Sequence, residues 1–235
     1  EKLARVLIRG EDKPDHRKLH HINKNDFGSV SIAIAQVRAE TERMFGIMMQ
    51  NLELSCKMLN ESKRTEAEFA EITENEETID YLNKVITEAL VDITALGLSD
   101  ADAKVINRTH HVICDYERIG DHADNIAGYV RHFVDEGLKF SQHAHDELQS
   151  LTEQVIKFVN DAEMFYLERN DLTMEDLEFQ EENVDRVVDE LQEAHIRRME
   201  SGRCTAQVGL LYAEILTDLE RVADHALNIA QARIK

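Results

Sequence analysis

Tryptophan is absent, proline occurs once and glycine nine times in the 235 residues. So few turn formers and helix breakers exclude a many-stranded β architecture and favour long helices. The three cysteines, Cys56, Cys114 and Cys204, are odd in number and lack any C-x-x-C spacing, which excludes a disulfide scaffold or a thiolate zinc site. They are expected as buried thiols in a reducing cytoplasm. No apolar run approaches the roughly 18–20 residues that cross a bilayer, and no secretory signal pattern is present. Missing too are a P-loop, an H-E-x-x-H pair, a glycine-rich fingerprint and the Glu-x-x-His of ferritin-like di-iron bundles. Basic residues are outnumbered: Lys and Arg total 27 against 47 Asp and Glu, a formal charge of -20. That balance repels nucleic-acid phosphates and anionic lipid, and it favours cations or basic partners.

What remains is an all-α chain. From Ser29 onward apolar and small residues recur at 3/4 spacing, beginning with Val30, Ile34, Val37, Thr41, Met44 and Met48. A second helix is expected after the capping signature Thr65-Glu-Ala-Glu68, ending at Gly97, and a third from Ser99-Asp-Ala-Asp102 to Gly137. The buried row of the third runs through Val105, Thr109, Val112, Tyr116 and Gly120. Three more helices repeat the layout, at about Ser141–Asn170, Thr173–Ser201 and Thr205 to the end. Short connections imply antiparallel neighbours and an up-and-down arrangement. The expected division is a linker at 1–28, with a short helix at Leu3 to Ile8, then three-helix units at 29–137 and 138–235. The linker stands apart because it carries more Lys and Arg than acid.

The two units are copies. Glu117-Arg-Ile-Gly-Asp-His-Ala-Asp-Asn-Ile-Ala127 matches Glu220-Arg-Val-Ala-Asp-His-Ala-Leu-Asn-Ile-Ala230 at eight of eleven places, 103 residues apart. Upstream, Glu76-Glu-Thr-Ile-Asp80 matches Glu181-Glu-Asn-Val-Asp185 at an offset of 105. Each motif sets acids at i and i+4, one turn apart on a helix face and within reach of a common ion. With 47 acids in the chain, about nine such pairs are expected by chance. Repetition is therefore the signal: Glu76/Asp80, Glu117/Asp121, Glu181/Asp185 and Glu220/Asp224 form two matched sets. With Tyr116 in the core, Glu117 lies about 100° and Asp121 about 140° away on the wheel, at the edge of the apolar arc. Carboxylates crowded there are relieved by a hard cation bound through oxygen. The competing account neutralises them with Arg118 and Arg221 across helices. His122 and His225 lie a further 100° or so around and are expected to bond between helices rather than ligate metal. His16, His20, His21, His143 and His145 are read as exposed polar residues.

These stretches and their upstream Glu-x-x-x-Asp pairs resemble the signature of PhoU domains, over about residues 29 to 235. The resemblance implies two tandem three-helix bundles with six long helices, each holding a multinuclear metal cluster, and a non-catalytic role in restraining phosphate uptake. By position, Glu76, Asp80, Glu117 and Asp121 would hold one cluster, and Glu181, Asp185, Glu220 and Asp224 the other. Asn125 and Asn228 match the motif's asparagine and join the candidates. Divalent or trivalent ions fit, multinuclear iron among them, with magnesium, manganese and zinc open as well. Leu227 departs from the pattern, standing where the first repeat has Asp124, so the two clusters need not be equal.

The leading segment Glu1-Lys-Leu-Ala-Arg-Val-Leu-Ile-Arg and the stretch Ala33 to Met44 are similar to the cytoplasmic C-terminal domain of bacterial sodium/phosphate cotransporters. That similarity implies a partner in the membrane portion of the same polypeptide, at the inner face of the cell membrane; a start at Glu1 rather than methionine fits it. The alternative is a separate PhoU-like regulator of a phosphate importer and its sensor kinase. A carboxylate-bridged metal enzyme is the second alternative, and homodimerisation is open.

Overall fold

The computed structural model describes residues 18–61 and 64–234. The helix expected at Leu3 to Ile8, and His16, lie outside the described residues. Six helices follow a 3-10 turn at Lys24–Asp26: α1 (Val30–Asn60), α2 (Glu66–Thr94), α3 (Asp100–Asp135), α4 (Gln142–Tyr166), α5 (Met174–Glu200) and α6 (Ala206–Ala232). Each opens on a hydroxyl residue, Ser29, Thr65, Ser99, Ser141, Thr173 or Thr205, whose oxygen accepts the amide three residues on. In α2, α3 and α5 the carboxylate of Glu68, Asp102 or Asp176 returns to the cap amide, closing a capping box. Such a cap is worth about 1 kcal/mol.

The stops are equally local. Gly97, Gly137 and Gly202 take φ of 79°, 62° and 68°, a conformation in which a β-carbon clashes with the backbone. α4 is shorter than expected, ending at Tyr166 rather than near Asn170. There Glu168 adopts φ 59° without being glycine, the Arg169 amide donates to Met164 O at 2.7 Å, and the Asn170 side chain donates to Asp161 O at 2.9 Å. No glycine marks that turn; Asn170, the expected end, lies beyond it and holds it from outside the helix.

α1, α2 and α3 pack together, as do α4, α5 and α6, and the units are joined by α3 against α6 and α1 against α4. One continuous core results, with Tyr116, Tyr212, Phe158, Met44 and Met48 among its largest fully buried side chains. Burial of each such chain contributes about 2 kcal/mol. The row expected on α3 holds except at Val105, which is 41% exposed because it borders a cavity near the start of the helix. Cys56 is buried, and burial pushes its thiol up to about 12; Cys114 and Cys204 are half-buried, so the expectation of three buried thiols fails for two. The approach to α1 is pinned by Glu40, a fully buried carboxylate that accepts the amides of His20 and His21 at 2.9 and 2.7 Å and pairs with Arg43. None of the described helices is long and apolar enough to cross a membrane.

Candidate metal centre

α2 lies against α3, and α5 against α6, so each seam lines up one acid pair from either helix. At the first seam Glu76 Oε2 is shut off from solvent without a hydrogen-bond partner. Its carboxyl is pushed up to about 8, by burial first and then by the charges of Asp121, Asp80, Asp124 and Glu117. Asp80 is raised by burial and by Asp121. Glu117 is raised by burial and Asp121, with partial relief from Arg118. Loss of hydration at the carboxyl group, then the charge of Asp121, raises Asp124 as well. These acids thus destabilise one another's ionised forms, a repulsion that a bound cation would relieve.

The second seam is tighter in one respect. Oxygens of Glu181, Asp185 and Asp224 all lie within 4.8 Å of one another, and among the described residues this is the one group of three or more acids, histidines or cysteines so spaced. Two oxygens on opposite sides of a hard cation at about 2.0–2.6 Å would be about 4–5 Å apart, so the group fits such an ion with little adjustment. Asp185 Oδ1 is buried without a partner. Burial raises Asp185, followed by Asp224 and Asp189; burial, Asp185 and Asp224 raise Glu181; burial and Asp185 raise Glu220.

Among the described residues no arginine forms an ion pair across either seam, although the charge of Arg221 gives Asp185 on α5 partial relief. Arg118 turns to Asp121 at 3.1 Å and Glu117 at 3.6 Å on its own helix, and Arg221 to Asp224 at 2.9 Å on its own. One guanidinium per cluster leaves an excess of acid at each seam, where Glu76 Oε2 and Asp185 Oδ1 are buried without a hydrogen-bond partner.

The histidines serve another purpose. His122 Nδ1 lies 2.6 Å from Asp218 Oδ1, and His225 Nδ1 lies 2.9 Å from Asp115 Oδ1. Asn125 and Asn228 donate to the same two carboxylates at 3.4 Å each, so the structure carries these candidates to the α3–α6 junction. Asp115 and Asp218 are themselves 103 residues apart, so the junction is a crossed pair in which each repeat's histidine binds the other's aspartate. The imidazoles meet at 5.7 Å between centroids. Sequence reasoning missed Asp115, Asp218 and Asp189, and it noted Asp124 only as the point at which the repeats differ, without counting it among the candidate ligands. The available signal was the continued register of Asp-x-Glu-Arg upstream of both motifs.

A PhoU domain model matches residues 41–130 and 148–232. The chain is 27% identical over 205 residues to the phosphate-specific transport system accessory protein PhoU homolog 1 of Thermotoga maritima, covering 83% of each. It is 28% identical over 216 residues to the corresponding PhoU homolog of Pseudomonas putida, covering 90% of this chain and 80% of that protein. The crystal structure of PhoU from Pseudomonas aeruginosa superposes with a TM-score of 0.76 at 25% identity, covering 88% of this chain and 97% of the other. Both of these relatives are named as transport accessory proteins, which favours the separate-regulator alternative over the cotransporter similarity. Two copies of one acid-bearing three-helix unit, in this order and with this superposition, place the chain in the PhoU domain family.

Proposed function

We propose that the protein is an accessory regulator of a phosphate-specific transport system, and that its two seams hold hard divalent cations. Support comes chiefly from the triad Glu181, Asp185 and Asp224, whose oxygens converge within 4.8 Å while one of them lacks any protein partner. All-oxygen ligation suits magnesium or manganese, and the nearby imidazoles are committed to Asp115 and Asp218. Glu76, Asp80, Glu117, Asp121 and Asp124 supply the first seam, and Glu220 and Asp189 border the second. Bound ions would remove the repulsion among these acids and fix α2 on α3 and α5 on α6, giving partner proteins a defined surface. The role is binding, with no group placed as nucleophile or acid–base catalyst.

Two measurements test the reading. Calorimetric titration of chelator-treated protein with Mn²⁺ should show saturable binding at two classes of site. Asp185→Asn with Asp224→Asn should weaken one class by about 100-fold or more and spare the other. Metal-loaded protein should also retain a phosphate importer's ATPase subunit in a pull-down. Absence of saturable Mn²⁺ binding would reject the metal part, and failure to retain the subunit would reject the transport role.

A further inference from the structure

Away from both seams, a cavity of about 390 Å³ opens where the two units meet, walled by α1, α3, the end of α4 and Arg233 beyond α6. Three arginines, Arg38, Arg108 and Arg233, reach it. The acids beside them are mostly engaged. Glu42 receives Arg169 at 3.2 Å on both oxygens and Arg38 at 3.8 Å, and Glu168 lies 3.8 Å from Arg233. Glu163, 1% exposed, accepts the Tyr116 hydroxyl at 2.6 Å; burial raises its carboxyl to about 7, so near neutrality it carries only part of its charge.

Arg108 is the exception. Its Nε is buried without a hydrogen-bond partner, and it forms no ion pair among the described residues. A buried donor left without an acceptor on an arginine that borders this cavity is a group in want of an anion, in a chain where acids outnumber cations 47 to 27. The other lining is apolar, with Ile34, Val37 and Ile106. The volume holds roughly a dozen waters, far beyond an inorganic phosphate and within the range of small-molecule sites.

We infer that this cavity binds a small organic anion, a single phosphate or carboxylate head on an apolar body, with Arg108 holding the head and Ile34, Val37 and Ile106 the body. Arg is suited to the head because its planar fork meets either oxyanion with two parallel bonds. The site is independent of the seams and needs no metal. Its walls come from both three-helix units, so an occupant would touch both at once.

The test titrates the full chain in EDTA, which silences any anion bound through metal, with phenyl phosphate and benzoate as probes and inorganic phosphate and phenol as controls. At least one probe should bind saturably at one per chain, at least ~10-fold more tightly than either control. Which probe wins identifies the head. Arg108→Gln should weaken that binding by ~10-fold or more, while Arg118→Gln at the first seam leaves it unchanged. Should Arg108→Gln fold poorly, amide shift changes in the wild-type chain on probe addition must centre on Thr109, Tyr166 and Arg233. The assignment is overturned if neither probe saturates, if inorganic phosphate or phenol binds as well as the better probe, if a folded Arg108→Gln binds unchanged, or if the shifts centre elsewhere.

Discussion

Between the α2–α3 seam and the α5–α6 seam, the difference begins under the glutamate that opens each pair. At Gly120 an added β-carbon would stand 3.1 Å from both Glu76 Oε2 and Ile79 Cδ1, so the missing methyl is what lets Glu76 sink against α3. The second repeat has Ala223 at the equivalent place, fully buried, and there the orphaned oxygen belongs to Asp185 instead of the glutamate. The outlying acid also changes sides. The first seam has Asp124 on α3 where the second has Leu227, and the second has Asp189 on α5 where the first has Lys84. Duplication therefore preserved the four paired positions while the depth of one glutamate and the position of the fifth acid drifted. The crossed histidine–aspartate pairs have drifted too: the Asp218 side chain is 9% exposed against 16% for Asp115, and its bond to histidine is shorter.

The largest effect should come from breaking the crossed pair on its deeper side. Asp218 serves His122 and Asn125 through Oδ1, and its charge stands near the Tyr129 hydroxyl, which burial and then that charge raise. Asp218→Ala strands these groups at the α3–α6 junction and should cost about 3 kcal/mol, against about 1 kcal/mol for Asp115→Ala, as urea denaturation would measure. Equal losses at the two positions would refute the asymmetry.

Next comes the pH response of Glu76. Its carboxyl titrates near 4.5 when unfolded and is raised to about 8 in the fold, so the folded state penalises the ionised form. For a raised acid the stability is whole below about pH 4.5 and is lost as pH rises through about 8. In EDTA, Glu76→Gln should remove that decline and be more stable than wild type by about 2 kcal/mol at pH 8.5, a figure reduced for solvent reaching the seam. Near pH 4 the two should agree. Glu181→Gln should show the same sign with a smaller gain. Mn²⁺ should reverse the order by stabilising wild type more than Glu76→Gln. Parallel stability curves for Glu76→Gln and wild type in EDTA would count against a crowded, ion-free seam.

Helix number, caps and the paired acids were legible because each depends on residues within a turn or two of one another: Thr65 with Glu68, Glu117 with Asp121, and glycines at three of the stops. α4 ended at Tyr166, before the expected Asn170, because the left-handed turn at Glu168 is held by the Arg169 amide and by Asn170 reaching back to Asp161, contacts that no local period marks. The partners of His122 and Asn125 lie more than 90 residues away on α6, so no local period could supply them. Wheel geometry did separate both histidines from the acid line, and it could not do the same for Asn125, which occupies that line and still bonds to Asp218. The competing account, arginine pairing across helices, was open for the same reason in reverse: Arg118 and Arg221 each reach an acid three residues along their own helix, a contact that spacing alone does not separate from one across the seam.

The smallest change in stability should accompany the most direct exchange between the seams. Gly120→Ala gains about 1 kcal/mol of helix propensity, and its methyl presses on the ends of Glu76 and Ile79, both flexible enough to give way. The two effects nearly cancel, so the melting temperature should move little while Glu76 is displaced toward water. Its titration, followed through the side-chain carboxyl carbon in EDTA, should then fall from about 8 toward the ordinary glutamate range. Ala223→Gly should act oppositely, losing about 1 kcal/mol of helix propensity and letting Glu181 settle inward, which raises its titration further. If Glu76 titrates unchanged in Gly120→Ala, the depth of the first seam is set by something other than the absent methyl, and the contrast with Ala223 carries no weight.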